Sequence, residues 1–165
     1  MDNIYGIFAC DPIGVIGKNG KLPWHYAEDL AHFAAYTRHH TLIMGYKTFI
    51  SLPKSYFDER QGIVLSRQKR SVGHPNVTIA DSLEKCLSEE ILQEKSCYVI
   101  GGGQIFQLFL EAGLLSQLVV THIKNRYEGD AFFPLMLIRD WPFRKIRECE
   151  DFTIYHYFRP IRDKL

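Results

Sequence analysis

Asp29 has Tyr26 three residues before it and Phe33 four after it. Helical neighbours at those spacings share a face. A helix here would therefore carry a carboxylate on a partly apolar face, while Glu28 points elsewhere, toward His32. A helix-start acid favoured by the dipole accounts for Glu28 more naturally than for Asp29. A carboxyl flanked by aromatic rings is a candidate acid or ligand anchor. The second stretch with chemistry in it is Ile100-Gly101-Gly102-Gly103-Gln104-Ile105-Phe106. One glycine suffices for a tight turn, and three in a row cost backbone entropy. They also let a ligand approach the backbone, and N–H groups at a helix start attract phosphate. The Rossmann pattern fails because Phe106 stands at its last glycine position, and Gly17-Lys18-Asn19 is no P-loop. Gly45-Tyr46-Lys47-Thr48 and Leu65-Ser66-Arg67 each place a cation and a hydroxyl just past an apolar run. Three such strand ends in one sheet mark the usual nucleotide site of an α/β protein. Lys69-Arg70 reads as solvated charge.

The elements that must position these residues follow from the apolar pattern. Ile4 to Ala9, Thr41 to Met44, Ile63 to Leu65, Val77 to Ile79, Tyr98 to Ile100 and Leu118 to Ile123 are short apolar runs, as expected of buried strands. The spacing predicts helices over about Tyr26–Arg38, Tyr46–Leu52 and Gln104–Leu110. Gly113 follows the last of these as a stop. Asp81-Ser82 followed by Glu84 starts a further helix, running to about Leu92. Cys10 to Lys21 reads as a long loop, rich in glycine and without periodicity. Asp151 to Arg159 alternates as a strand, with Phe152, Ile154, His156 and Phe158 on one face and Thr153, Tyr155 and Tyr157 on the other. No helix lies between the last two strands. The expected fold is α/β: one domain over residues 1–165, with a mostly parallel central sheet, antiparallel C-terminal strands and flanking helices.

Composition excludes several classes of function. The chain has 165 residues, 46% of them apolar, and a formal net charge of +1. That is enough apolar material for a core, and the charge gives no field for nucleic acid or an anionic membrane. No apolar run is long enough to span a bilayer, and no basic region precedes the first apolar segment. The four cysteines form no C-x-x-C and no zinc spacing. Reduced thiols in a cytoplasmic protein without a metal are expected.

Together the segments resemble dihydrofolate reductase along nearly the whole chain. They are Val15-Ile16-Gly17, Leu22-Pro23-Trp24 with Asp29-Leu30 and Phe33, Ile43-Met44-Gly45 with Thr48, and Ile63-Val64-Leu65-Ser66-Arg67. Val99-Ile100-Gly101-Gly102-Gly103, Thr121-His122-Ile123 and Glu128-Gly129-Asp130 with Phe133-Pro134 complete the series. The resemblance implies NADPH-dependent reduction of 7,8-dihydrofolate to 5,6,7,8-tetrahydrofolate, supplying one-carbon metabolism and thymidylate synthesis. It implies that Asp29 binds the pterin's ring nitrogen and 2-amino group, supported by Thr121 through a water. Leu22 and Trp24 join them in the catalytic group. Ile7, Phe8, Leu30, Phe33, Leu52, Phe57 and Ile100 would line the substrate pocket, and Arg60 would clamp the glutamate carboxylate. For the cofactor it implies Ala9 and Ile16 at the nicotinamide, with Phe106 near it, and Gly17, Leu22 and Ile100 as further cofactor contacts. Gly45, Lys47, Thr48, Ser66 and Arg67 would bind the phosphate-bearing part, with Tyr46 and Leu65 also among the cofactor-binding residues. Gly102, Gly103, Gln104 and Ile105 would meet the pyrophosphate, with a cis peptide between Gly101 and Gly102. The loop from Cys10 to Leu22 resembles the family's mobile lid. The implied partners are dihydrofolate and antifolate inhibitors, with the chain a monomer.

Several positions depart from the family pattern. Tyr46 stands where a basic residue is frequent, which shifts the cofactor phosphate toward Lys47 and Arg67. Phe106 replaces a frequent tyrosine. Ser55-Tyr56-Phe57-Asp58-Glu59 replaces a proline-containing stretch before Arg60, and Ala27 and Ile50 stand where proline and glutamate are common. Two other functions fit part of the pattern. A riboflavin-pathway reductase would share fold and cofactor, but its frequent zinc-deaminase motifs H-x-E and P-C-x-x-C are missing here. A non-catalytic binding protein would have been favoured by loss of Asp29 or of the glycine turn, and both are present.

Overall fold

In the computed structural model, residues 2–89, 92 and 95–161 are described. Ten strands are found among them: β1 Ile4–Cys10, β2 Val15–Gly17, β3 Thr41–Gly45, β4 Gln61–Leu65, β5 Val77–Ala80, β6 Cys97–Gly101, β7 Gln117–Ile123, β8 Ala131–Phe132, β9 Phe143–Glu148 and β10 Phe152–Phe158. Eight form one sheet in the order β5-β4-β3-β6-β1-β7-β10-β9, and β2 pairs with β8 in a small second sheet. From β5 to β7 every neighbour is parallel. Strands β10 and β9 are antiparallel. This is the expected α/β sheet with its antiparallel C-terminal part.

The helices are α1 Ala27–Thr37, α2 Tyr46–Ser51, α3 Leu83–Ser88 and α4 Gly103–Glu111. Their sites of initiation follow local chemistry. Ser82 accepts the Lys85 backbone N–H at 3.1 Å, capping α3. Gly113, at φ +68, closes α4 in the left-handed conformation that glycine tolerates. The end expected for α3 near Leu92 falls among residues 90, 91, 93 and 94, outside the described ones.

Strand alternation divides the apolar residues between two cores, one on each sheet face. Ile4, Phe8, Val120, Phe106, Phe109 and Cys86 belong to the first, under α3 and α4. Ile7, Val119, Ile154, Trp24 and Phe49 belong to the second, with α1 and α2 packed over it. Cys10, Cys86 and Cys97 are buried free thiols, and burial pushes each above the usual thiol range.

Three strands, β2, β8 and β9, were absent from the sequence reading. The stretch from Cys10 to Lys21 is not loop throughout, because Val15–Gly17 pairs with Ala131–Phe132. Strand β9 went unread because all six of its residues are exposed, so it carries no inward-outward alternation. It exists through its pairing with β10, and Phe143 packs on the rings of Tyr155 and Tyr157 at 5.3 and 5.2 Å.

Candidate active site

Helix α1 carries Asp29 across the second core. The side chain is buried, and the Thr121 hydroxyl donates to its Oδ1 at 2.7 Å. This contact is direct, not through the water implied by the resemblance. Burial pushes the Asp29 carboxyl above its ordinary range; the Thr121 hydrogen bond and the His32 ring pull the other way and are outweighed. Thr121 pairs with Ile154 on β10, and Ile154 pairs with Arg147 on β9. Helix α1 crosses that row. Glu28 therefore meets Arg147, at 3.0 Å, a partner that the sequence did not suggest. His32 lies closer to Asp29. Its Nε2 is buried without a partner, and burial holds its ring below the usual histidine range.

The residues expected around Asp29 come from β1, α1, the end of α2 and β6. Ile7 and Ala9 on β1 share its face, Ala9 being paired with Thr121. Phe33 on α1, Leu52 after α2 and Ile100 on β6 are half-buried against the same core, whereas Leu30 on α1 is exposed and does not line it as expected. Phe8 is different. Alternation turns its side chain to the other layer, stacked on Phe133 at 4.0 Å and close to Phe106 at 4.8 Å. Only its backbone can serve the Asp29 side, and Phe106 is likewise a fully buried core ring. Trp24 is buried beside Tyr127, with a ring separation of 5.1 Å, and its Nε1 has no protein acceptor. Leu22 is exposed at the loop's end.

Arg60 is buried, and three of its donors are committed. Nε donates to the Thr37 hydroxyl at 3.0 Å, Nη1 to the Tyr56 carbonyl at 3.1 Å and Nη2 to the Ala34 carbonyl at 2.8 Å. A guanidinium has five N–H groups, so one remains on each terminal nitrogen. That pair is the fork a carboxylate needs. The guanidinium also lies 4.6 Å over the Tyr56 ring, and Tyr56 faces Phe33 at 6.2 Å. Phe57 is wholly buried, against Phe49 at 5.6 Å. Phe57, the residue expected from the sequence to line the pocket, thus turns inward, while Tyr56 is the half-buried ring of the same 3-10 turn, beside Arg60.

Each glycine of the turn has its own reason. Gly101 has φ +137, and its bond to Gly102 is cis. A Cβ on Gly102 would meet nothing, so its backbone is open to a ligand. A Cβ on Gly103 would collide with the Phe132 carbonyl, so this glycine serves packing against β8. Ile105 sits against Gly45, tying α4 to the end of β3. Gly45 is paired with Leu65, which puts Tyr46, Lys47 and Thr48 beside Ser66 and Arg67 at adjoining strand ends.

The segment from Cys10 to Leu22 is pinned from two directions. Asp11, fully buried, accepts backbone N–H groups from Ile13, Val15 and Tyr127 at 3.0, 2.8 and 3.0 Å. Asp130 accepts the Asn19 N–H at 3.0 Å and donates its own N–H to the Gly17 carbonyl at 3.0 Å. Asp11 was not singled out in the sequence, although Asp-Pro-x-Gly is a turn signal.

This geometry was compared with known proteins. The dihydrofolate reductase family model matches residues 3–158. The chain belongs to the dihydrofolate reductase family. Dihydrofolate reductase of Mycoplasma genitalium is 31% identical over 158 residues, covering 93% of this chain and 96% of that one. The Bacillus subtilis dihydrofolate reductase is 36% identical over 138 residues, 82% and 77% of the two chains. Among solved structures, dihydrofolate reductase from Enterococcus faecalis complexed with NADP(H) and RAB-propyl superposes with a TM-score of 0.77. It is 31% identical, and the match covers 94% of this chain and 95% of that one. Asp29, on α1, lies over the sheet face that carries Thr121, and Gly102, Lys47 and Arg67 follow the ends of the neighbouring strands β6, β3 and β4.

Proposed function

We propose that Asp29, held by Thr121, is the carboxylate that engages the pterin in this chain's reaction, the NADPH-dependent reduction of 7,8-dihydrofolate to 5,6,7,8-tetrahydrofolate. The observation that carries the reading is the buried Asp29–Thr121 pair, 2.7 Å apart, on the face shared with Ala9 and Ile7. Among the described residues only two carboxylic acids are buried, Asp29 and Asp11. Asp11 spends its oxygens on three backbone N–H groups. Asp29 Oδ1 accepts one hydrogen bond from Thr121, which leaves Oδ2 for the pterin ring nitrogen and 2-amino group. Its raised pKa suits a group that assists protonation of the C=N bond, directly or through a water. Trp24 Nε1 offers a buried donor to the substrate or to that water.

The residues fit NADPH. Gly102 leaves backbone open at the start of α4, and no ion pair among the described residues engages Lys47 or Arg67. Bound NADPH supplies the hydride. The chain's residues supply alignment and exclusion of water. Ala9 and Ile16 bound the nicotinamide end, and the pinned segment from Cys10 to Leu22 covers it. Arg60 fixes the far end of the substrate through its two free N–H groups. We take the chain as one domain, acting as a monomer in the cytoplasm and open to antifolates at Asp29; no helix among the described residues is long and apolar enough to cross a membrane. The test is NADPH absorbance with and without dihydrofolate. Wild-type protein should consume NADPH only with substrate present, and Asp29→Asn should lose most of that rate. Substrate-independent oxidation, or none, would defeat the reading.

A further inference from the structure

The strand order lays out the cofactor. Starting from Ala9 on β1 and moving toward β5, the strand ends are those of β1, β6, β3 and β4. Neighbouring strands lie ~5 Å apart. A dinucleotide with its nicotinamide at Ala9 and its pyrophosphate at the Gly102 backbone therefore carries its adenosine beyond β3, over the ends of β3 and β4. Cations gather there: Lys47 after β3, and Arg67, Lys69 and Arg70 after β4. None of the four makes an ion pair among the described residues.

Arg70 stands apart within this group. Its guanidinium lies 4.5 Å over the centroid of the Tyr46 ring, and its Nη2 donates to Gln68 Oε1 at 2.5 Å. The Tyr46 ring is in turn packed at 6.2 Å from Phe49, in the second core. An aromatic ring anchored in the core thus holds a cation that the sequence alone assigned to solvent. A guanidinium stacked on a ring keeps its in-plane N–H groups free for an anion, and its order lowers the entropy lost on binding. We propose that Arg70, seated on Tyr46, is a specificity-determining residue for the 2′-phosphate that distinguishes NADPH from NADH. The ring at position 46 supplies no charge of its own; it positions one from the neighbouring loop. This inference rests on the cofactor reading given above.

The test is direct binding, by calorimetry, of NADPH, NADH, 2′,5′-ADP and 5′-AMP to five proteins: wild type, Arg70→Gln, Tyr46→Phe, Tyr46→Leu and the double variant Tyr46→Leu with Arg70→Gln. Arg70→Gln should weaken NADPH and 2′,5′-ADP about tenfold, the loss of one charge-assisted pair. NADH and 5′-AMP should bind it as they bind wild type. Tyr46→Phe should match wild type because the ring face remains. Tyr46→Leu should lose part of the phosphate-dependent affinity, and adding it to Arg70→Gln should cost nothing more. Unchanged NADPH affinity in Arg70→Gln, equal losses for NADPH and NADH, or additive losses in the double variant would each overturn the proposal. If wild type binds 2′,5′-ADP no better than 5′-AMP and does not oxidise NADPH with dihydrofolate, the cofactor reading fails with it. If wild type does both and Arg70→Gln behaves as wild type, only the Arg70 assignment fails.

Discussion

Asp29 carries opposite obligations in the folded chain and in the reaction. Its pKa is raised above the ordinary value of 3.8, so below that pH the group is neutral whether the chain is folded or not. As pH rises, the unfolded chain ionises first, and the folded state loses stability until the raised pKa is passed. The ligand-free Asp29→Asn protein should therefore gain melting temperature over wild type at pH 8, and the gain should vanish near pH 3; a pH-independent difference would contradict this. His32 works in the other direction. Its lowered pKa removes stability as pH falls below 6.5, the ordinary histidine value. Activity moves against stability. The amide of the Asp29→Asn protein could not accept two charge-assisted hydrogen bonds or assist protonation, so kcat/KM at neutral pH should fall at least ~100-fold. Arg67 belongs to the same scale. Arg67→Leu should weaken NADPH by roughly ten- to a hundredfold, leave NADH nearly unchanged and flatten the salt dependence. Trp24 fluorescence quenching would read both cofactors, and equal losses would mean that Arg67 supports the fold instead.

At the scale of elements, the segment from Cys10 to Leu22 packs tightly on Gly129. A Cβ there would collide with Val15 Cγ1 and lie 2.7 Å from the Gly17 carbonyl. Gly129→Val must push β2 away from the turn before β8. Misplacement of about an ångström can cost on the order of a hundredfold in rate, so kcat should drop while thermal stability changes little. A variant with wild-type kcat would show that this contact is not needed for closure. Asp11→Ala is expected to do the opposite, lowering stability by ~2 kcal/mol because buried N–H groups lose their acceptor. Denaturant titration would measure it. The contrast bears on what a sequence exposes. The parallel strands could be read because burial on both faces writes an unbroken apolar run, and the helices because their caps and stops are local. Asp29 could be read from its aromatic flanks. Strand β9 left no trace because it is exposed throughout, and β2 and β8 were too short for periodicity. The direct Thr121 contact, the Glu28–Arg147 pair and the seat of Arg70 on Tyr46 join residues from separate elements. No local pattern records them.

On the proposed reading the cofactor lies along an edge to which β4, β3, β6 and β1 all contribute, so it would stabilise only the assembled sheet. At a hundredfold excess over Kd, NADPH should add ~2.7 kcal/mol and raise the melting temperature by several degrees. A scan in which NADPH leaves Tm unchanged would mean that the edge does not bind it. The sheet's order has a further consequence, for how the protein is made. Strand β1 leaves the ribosome first, yet its two neighbours in the sheet are β6 and β7. Asp29 and Thr121 are 92 residues apart along the chain. At synthesis rates of ~5–20 residues per second, the finished carboxylate site lags the first strand by several seconds. During that interval β1 has no partner on either side, and its apolar face invites chaperones or a second nascent chain. Slowing translation before Gln117 should therefore raise aggregation, while the same pause after Phe158 should not. The arrangement that places the catalytic face at the centre of the sheet also makes its birth the most exposed moment of the protein's life.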